Sequence, residues 1–546
     1  MKKLLSLLLW SLMLPCPLSA QEEQDGHNYE MFKQLNIFNS LYRELDLYYV
    51  DTLRADKVIG DAIAGMLETA DPYTEYFPEE RTEELRQLTT GKYAGIGTII
   101  SVNRKQRRCI IAEPYAGMPA AEAGLRVGDV ILSQDGRDYG LAEAGREAEY
   151  SSRVSQSLRG EPGTSFDLTV QRYGHDAPLT FRVTRRLIQL PSVSYSTLLS
   201  GDSVGYVRLD SYTEQSTREL TTAINALKRG GARALVLDLR DNPGGLLEQA
   251  VQVTNLFIPR GREVVSLKGK TAMGTSYKTM YEPLDTEIPL AILVSGGTAS
   301  AAEITSGALQ DYDRAVIVGQ RTYGKGLVQQ PHALPYGAVL KLTTAKYYIP
   351  SGRCIQAYSY ADGQPQHLPD SVAKAFKTAG GRTVYDGGGI KPDVEVTPDS
   401  LPTLLSYLEM SDVLNDYLAD YRNRHAAIAP PSEFALTAEE YEAFKEFMRE
   451  HGFTYDNQTR TSLKFLRQMA AAEGYADVTR AEFDALDAKL SHSFDHDFTY
   501  WEPQLRRLVE SHIVGLYYYQ AGRTAYALRA DKDLEAALEA LRRPLP

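Results

Sequence analysis

From residue 203 onward the chain alternates short, almost wholly apolar runs with segments spaced for helices. GYVRLD (205–210), ALVLDLR (234–240), AILVS (291–295) and AVIVG (315–319) read as buried strands. Between them TEQSTRELTTAINALKRGG, NPGGLLEQAVQVTNLF and AAEITSGALQ repeat apolar positions every three or four residues. That order predicts a parallel or mixed sheet with crossover helices. Upstream, NIFNSLYRELDLYYVD and ADKVIGDAIAGMLETADPYTEYF carry helical spacing that stops at Asp71-Pro72. Between the two regions the pattern shortens. KYAGIGTIISV is a glycine-bounded strand, AEPYAGMPAAEAGLRVGDVILSQDGRD holds a short helix, a strand and a hairpin-like Asp135-Gly136, and SSRVSQSLRGEPGTSFDLTVQR gives a helix, a turn and a strand. Beyond residue 400 the spacing is helical again, with breaks near Pro430-Pro431 and Gly452.

The predicted organisation is therefore multidomain α/β: a signal segment at 1–20, a helical N-terminal region at 21–88, a small mixed module at 89–186, an α/β core at 187–400 and a helical C-terminal domain at 401–546. The length of 546 residues fits that count. MKKLLSLLLWSLMLPCPLSAQ has two lysines, an apolar stretch and small residues at Ser19 and Ala20, the pattern of a secretory signal. An exported protein, periplasmic or envelope-associated, is expected; Pro15 before Cys16 argues against a lipidated cysteine. Cys109 and Cys354 form no disulfide framework. The net charge of −12 excludes a nucleic-acid partner held on a basic surface.

Candidate chemistry centres on SGGTASAAEI (295–304). A strand ends on two glycines and presents Ser300 at the mouth of a helix, where backbone N–H groups face outward and can hold an anion. The alternative is that Thr298 or Ser300 simply caps the helix. In QRTYGKGLVQQ, Lys325 stands between two glycines just after a buried strand. A lysine serves as a base for a serine hydroxyl when burial keeps its amine neutral. Its sequence neighbours Tyr323, Leu327 and Val328 include no acid, and Gln329 follows as an uncharged partner. None of the nine histidines has the setting of a triad member. His492 and His496, near Asp495 and Asp497, lack a third spaced ligand, so no metal and no cofactor is expected. LDLRDNPGG (237–245) ends a third buried strand in a loop of backbone donors without the Rossmann spacing.

These segments, in this order and with Ser300 and Lys325 25 residues apart, resemble the C-terminal processing peptidases, or tail-specific proteases. AAEAGLRVGDVILSQDG resembles the core of a PDZ domain, GIGTII its carboxylate-binding loop, and TTAKYYIPSGRCIQ and GGGIKPDVEV the family's closing segment. The resemblance spans roughly residues 30–400, with an insertion at 358–388. It implies a crotonase-like α/β protease core with an inserted PDZ domain. It implies Ser300 as nucleophile, Lys325 as general base and Gln329 as the residue orienting the lysine. Ala301, with Gly244 and Gly245, would form the oxyanion hole, and Gly95, Ile96 and Gly97 would bind a peptide C-terminus. The implied activity is a serine endopeptidase cutting exported proteins near their C-termini. Its partners would be peptide tails, with a homo-oligomer formed through the N- and C-terminal helices. The tail after 400 reads as a helical cap or oligomerisation arm. If it instead gates substrate, deleting 403–546 should alter cleavage and leave the Ser300 site intact. An inactive PDZ-bearing scaffold and a crotonase-type acyl-CoA enzyme are the competing readings.

Overall fold

The computed structural model describes residues 18–82, 85, 92–199, 201, 203–270, 273–360, 364–399, 401–456, 458–490 and 494–543. The signal segment (but for its last three residues) and His492 lie outside them. The chain forms two compact units, Met1–Pro72 and Tyr73–Pro546. The first holds α1 (Leu18–Tyr48) and α2 (Ala55–Glu68). The division falls within the stretch read as the helical region 21–88. Glu75–Phe77, β1, is a strand pairing antiparallel with β18 (Val339–Tyr348), so DPYTEYF opens the second unit. The helical spacing ends at Asp71-Pro72 as read, and Phe77 beyond it is buried against the sheet.

The small module follows. β3 (Thr98–Asn103), β4 (Arg108–Pro114), β5 (Val130–Gln134), β7 (Ser165–Gln171) and β8 (Leu179–Thr184) form one antiparallel sheet in that order, with β6 (Arg137–Asp138) on β5. α3 (Pro119–Glu122) and α4 (Glu147–Leu158) cover it around Ile111, Val154, Phe166 and Val183. β3 is an edge strand. β2 (Lys92–Gly95) pairs with β9 (Arg186–Gln189), so the module enters and leaves through one ribbon.

The core sheet runs β10 (Val193–Leu198), β11 (Val204–Leu209), β12 (Ala234–Asp238), β15 (Leu290–Val294), β16 (Val316–Gly319) and β23 (Val394–Glu395), all parallel except β10. α5 (Ser216–Arg229), α6 (Leu247–Asn255) and α7 (Ala301–Asp311) are its crossovers. A second sheet carries β1, β17 (Leu327–Ala333), β18, β13 (Glu263–Lys268) and β14 (Met273–Lys278). Two hairpins lie in the insertion, β19 (Tyr358–Ser359) with β20 (Gln366–His367) and β21 (Ala375–Lys377) with β22 (Thr383–Tyr385).

Alternate residues of a strand face opposite sides of its sheet. Leu235, Leu237, Leu290, Ile292 and Ile317 point into the core that α6 and α7 complete. Val236, Ala291, Leu293, Val316 and Val318 point the other way, and the residues meeting them are Leu534 and Ala537 of α15 (Lys532–Leu541). The tail between is a helical body, α8 (Thr403–Glu409), α9 (Asp412–Arg424), α10 (Ala438–Glu450), α11 (Gln458–Ala472), α12 (Arg480–Lys489), α13 (Phe494–Tyr500) and α14 (Glu502–Ala527), with its own aromatic core. Its end is clamped electrically. Arg240 contacts Asp238 and also Asp531 and Asp533, while burial would raise the Asp238 carboxyl but Arg240 and Arg208 hold it low. The packing goes against the condition attached to the gating alternative, that the Ser300 site stays intact when 403–546 is deleted: without α15 the second face of the central sheet would be open to water. Among the described residues no helix is long and apolar enough to cross a membrane.

Leu534→Ala should therefore destabilise the whole core, by about 2–4 kcal/mol for a buried leucine cut to alanine. Urea unfolding followed by far-ultraviolet circular dichroism checks this. Deleting 532–546 should leave a chain that does not fold.

Candidate active site

β15 delivers Ser300 through a tight, fully satisfied turn. The Thr298 hydroxyl donates to the Leu239 carbonyl at 2.7 Å and accepts from the Ser295 N–H at 2.9 Å. The Ala299 N–H donates to the Asn242 carbonyl at 2.9 Å. Ser300 then adopts φ 56°, ψ −117°, a strained conformation for a residue bearing a Cβ, of the kind that costs about 1–3 kcal/mol. It stands half-buried at the start of α7. The Ala301 N–H, first of the helix, has no acceptor among the described residues.

The NPGG loop closes one side. Gly244 packs so tightly that a Cβ there would lie 2.8 Å from the Ser300 Cβ and 2.8 Å from the Ala301 nitrogen. Its N–H, however, donates to the Asn242 side-chain oxygen at 2.8 Å. This corrects the expectation of Gly244 as an oxyanion donor: its amide is spent holding the loop, and its role is close approach. The Gly245 N–H has no acceptor among the described residues, so Gly245 and Ala301 are the donors that remain.

Lys325 arrives on the loop after β16. The Tyr323 N–H donates to the Thr298 carbonyl at 3.0 Å, and Gly324 has φ 83° with Ala357 where a side chain would go. The Lys325 Nζ lies 4.5 Å from the centre of the Tyr73 ring. The Tyr73 hydroxyl in turn meets those of Tyr323 at 3.4 Å and Tyr360 at 3.3 Å. Gln329 sits on β17, where its amide nitrogen donates to the Thr343 hydroxyl at 3.0 Å.

What joins the serine turn to the lysine loop is Glu303, fully buried one turn into α7. One carboxylate oxygen accepts the Ser300 N–H at 2.8 Å and the Lys325 N–H at 2.9 Å. The other accepts the Gly324 N–H at 2.7 Å and the Thr322 hydroxyl at 2.5 Å. Burial pushes this carboxyl up to about 7, against the pull of those four donors. Tyr347, also buried, places its hydroxyl against the carbonyls of both Ser300, at 3.2 Å, and Lys325. So the structure brings the backbones of Ser300, Ala301, Gly244 and Lys325 together, with Gly245 next in the chain packed on Tyr212. Sequence neighbours of Lys325 included no acid; the acid comes from the helix. Glu303 was legible as the last residue of a Ser-x-x-Glu capping box. Tyr347 and Tyr73 carried no such signal.

In the small module the Ile96 carbonyl accepts the Ala120 N–H at 2.8 Å and the Gly97 carbonyl accepts the Tyr115 N–H at 3.0 Å. Gly97 has φ +70°, and a Cβ would lie 2.5 Å from that of Met118. Gly95, Ile96 and Gly97 line one end of a cavity of about 170 Å³ that also touches Ile100 on the edge strand and Leu158 on α4.

A serine at a helix mouth tied through one carboxylate to a lysine loop, in a chain that also carries a module with an open strand edge, has the parts of a serine hydrolase that handles peptides. The peptidase family S41 model matches residues 203–365, a PDZ domain model residues 110–172, and the model described as a probable PDZ-protease C-terminal helical domain residues 404–541. The carboxy-terminal-processing protease of Bartonella bacilliformis is 36% identical over 342 residues, 62% of this chain and 76% of that protein. A probable CtpA-like serine protease of Staphylococcus aureus is 35% identical over 325 residues, 59% of this chain and 62% of its own length. Among solved structures, the photosystem II D1 C-terminal processing protease is similar at 29% identity and a TM-score of 0.37, over 66% of this chain and 87% of that one. The chain belongs to the carboxy-terminal-processing proteases of peptidase family S41.

Glu303→Gln should lower turnover at least a hundredfold, because an amide nitrogen would face N–H donors where an oxygen now accepts them. Its signature is pH dependence. With the native group near 7 and an ordinary carboxyl near 4.5, the native state holds its proton longer than the unfolded chain. Stability from this group is thus lost as pH rises from about 4.5 to 7, by on the order of 3 kcal/mol. Urea midpoints across that range should show the slope in the wild type and not in Glu303→Gln.

Proposed function

We propose that the protein is an exported serine endopeptidase that cuts proteins near their C-termini with Ser300 as nucleophile and Lys325 as general base. The observation supporting this reading is the single Glu303 oxygen that accepts both the Ser300 and the Lys325 backbone N–H. A neutral Lys325 amine takes the Ser300 hydroxyl proton as the oxygen attacks the peptide carbonyl. The negative oxygen so formed is held by the N–H groups of Ala301 and Gly245. The Lys325 ammonium gives its proton to the departing amine, leaving an acyl-serine. Water, deprotonated by the same amine, then releases the carboxylic acid and restores the hydroxyl. Gln329 orients the amine through its carboxamide oxygen, since its nitrogen is held by Thr343.

In this reading the substrate tail adds as a strand to the β3 edge, with its carboxylate at the Gly95–Gly97 loop and its apolar residue against Ile100 and Leu158. Export rests on the N-terminal signal segment. Self-association uses α1, on which Phe32, Leu35 and Leu41 are exposed, and the C-terminal helices.

Ser300→Ala and Lys325→Ala should each reduce cleavage of a peptide with an apolar C-terminus at least a thousandfold while leaving the circular dichroism spectrum intact. A Lys325→Ala enzyme turning over at the wild-type rate would remove the base assignment. Gly97→Ala should raise KM for tail-bearing substrates about tenfold with a smaller effect on kcat, because the added methyl meets Met118 and distorts the loop; steady-state kinetics with amidated and free-acid peptides separates the two.

A further inference from the structure

The small module and the helical domain meet around a cavity of about 180 Å³, roughly ten times the minimum volume that one water needs. Three guanidinium groups line it: Arg126 and Arg172 from the module and Arg422 from α9. No acidic side chain is among its described lining residues. The acid behind them is Asp129, fully buried, and it is already committed. Its two oxygens accept the Arg172 Nε and Nη2, each at 2.7 Å, and one also accepts the Arg126 backbone N–H at 2.8 Å.

Each arginine is fixed differently. Arg172 is buried and donates further to the Gly124 carbonyl at 2.8 Å. Arg422 lies 4.0 Å from the centre of the Tyr517 ring and donates one nitrogen to the carbonyls of His425 and Ala426. The Arg126 guanidinium makes no hydrogen bond or ion pair among the described residues. Burial, then the charges of Arg172 and Arg422, weaken its hold on its proton; Asp129 and the Tyr517 phenol oppose them. Three cations against one carboxylate leave the wall with an excess of two positive charges, on a buried Arg172, a half-buried Arg422 and an exposed Arg126. α14 contributes the far wall, where its helix breaks at Tyr519, φ 56°. Asn423 adds an amide at the rim.

We propose that this cavity is a binding site for a small tetrahedral oxyanion, of the phosphate or sulfate class, that bridges the PDZ module and the helical domain. Guanidinium forks match such oxygens bidentately. The bound anion would tie Arg126 and Arg172 on one body to Arg422 on the other. The proposal stands apart from the peptidase reading, because it concerns binding alone.

Isothermal titration of the full chain with inorganic phosphate, at ionic strength held constant with chloride, tests it. One phosphate should bind per chain, sulfate should compete, and acetate should bind at least tenfold more weakly. Arg126→Gln, at an exposed position that supports no other side chain, should weaken phosphate at least tenfold, with Arg126→Lys between the two. Thermal midpoints should rise saturably with phosphate in the wild type and not in Arg126→Gln. No saturable heat, an Arg126→Gln affinity within twofold of wild type, or acetate binding as tightly as phosphate would each overturn the assignment.

Discussion

One buried carboxylate holds the site together. Ser300 and Lys325 come from loops at the ends of two neighbouring strands, and nothing in the sheet ladder dictates how those loops approach each other. Glu303 does so by accepting both amides on a single oxygen, with Gly324 and Thr322 on the other. A carboxylate without water is tolerated when its lone pairs are filled, and four donors fill them. The same bond pins the nitrogen of Ser300 and so sustains its positive φ. Tyr347 repeats the link from the carbonyl side. The serine turn and the lysine loop are therefore tied to each other through shared partners, as the proposed proton transfer between their side chains would require.

Much of this was written in patterns that sequence makes visible. The wholly apolar runs of β11, β12, β15 and β16 announced a sheet covered on both faces, and the glycines flanking Ser300 and Lys325 marked turns where a backbone must bend sharply. Glu303 stood in plain view as a cap but was silent about its second partner, because a capping box reports contacts three residues away and not 22. β1 was hidden for the opposite reason: Glu75 to Phe77 lie past the Asp71-Pro72 stop, in a stretch assigned whole to the helical region, and only the long-range ladder to β18 makes them a strand. Gly244 was misread because a loop of glycines looks like a row of free donors until the Asn242 side chain is placed.

The same reasoning explains why the role of the C-terminal helix was illegible. An amphipathic segment such as KDLEAALEALRR states that one face must be buried and leaves the partner unnamed. Here the partner is the face of the central sheet opposite α7, 

more than 200 residues away in sequence for most of its strands. Leu534 and Ala537 meet Val236, Ala291 and Val318, and Arg240 reaches from the strand end to Asp531 and Asp533. The protease core is thus completed by the domain that follows it.

The helical domain also touches the PDZ module, but by different means. There the links mix polar and aromatic contacts: the Lys105 N–H to Asp412 at 3.0 Å, the Asn423 amide to the Tyr173 carbonyl at 3.0 Å, Arg523 to Glu113 at 3.6 Å, and the Tyr173 and Phe447 rings 6.4 Å apart. Burial of apolar area scales with how firmly two bodies hold, whereas exposed ion pairs contribute little each. The helical domain is thus joined to the protease core through buried apolar side chains, and the PDZ module is joined to the helical domain by this seam and to the core by the β2–β9 ribbon.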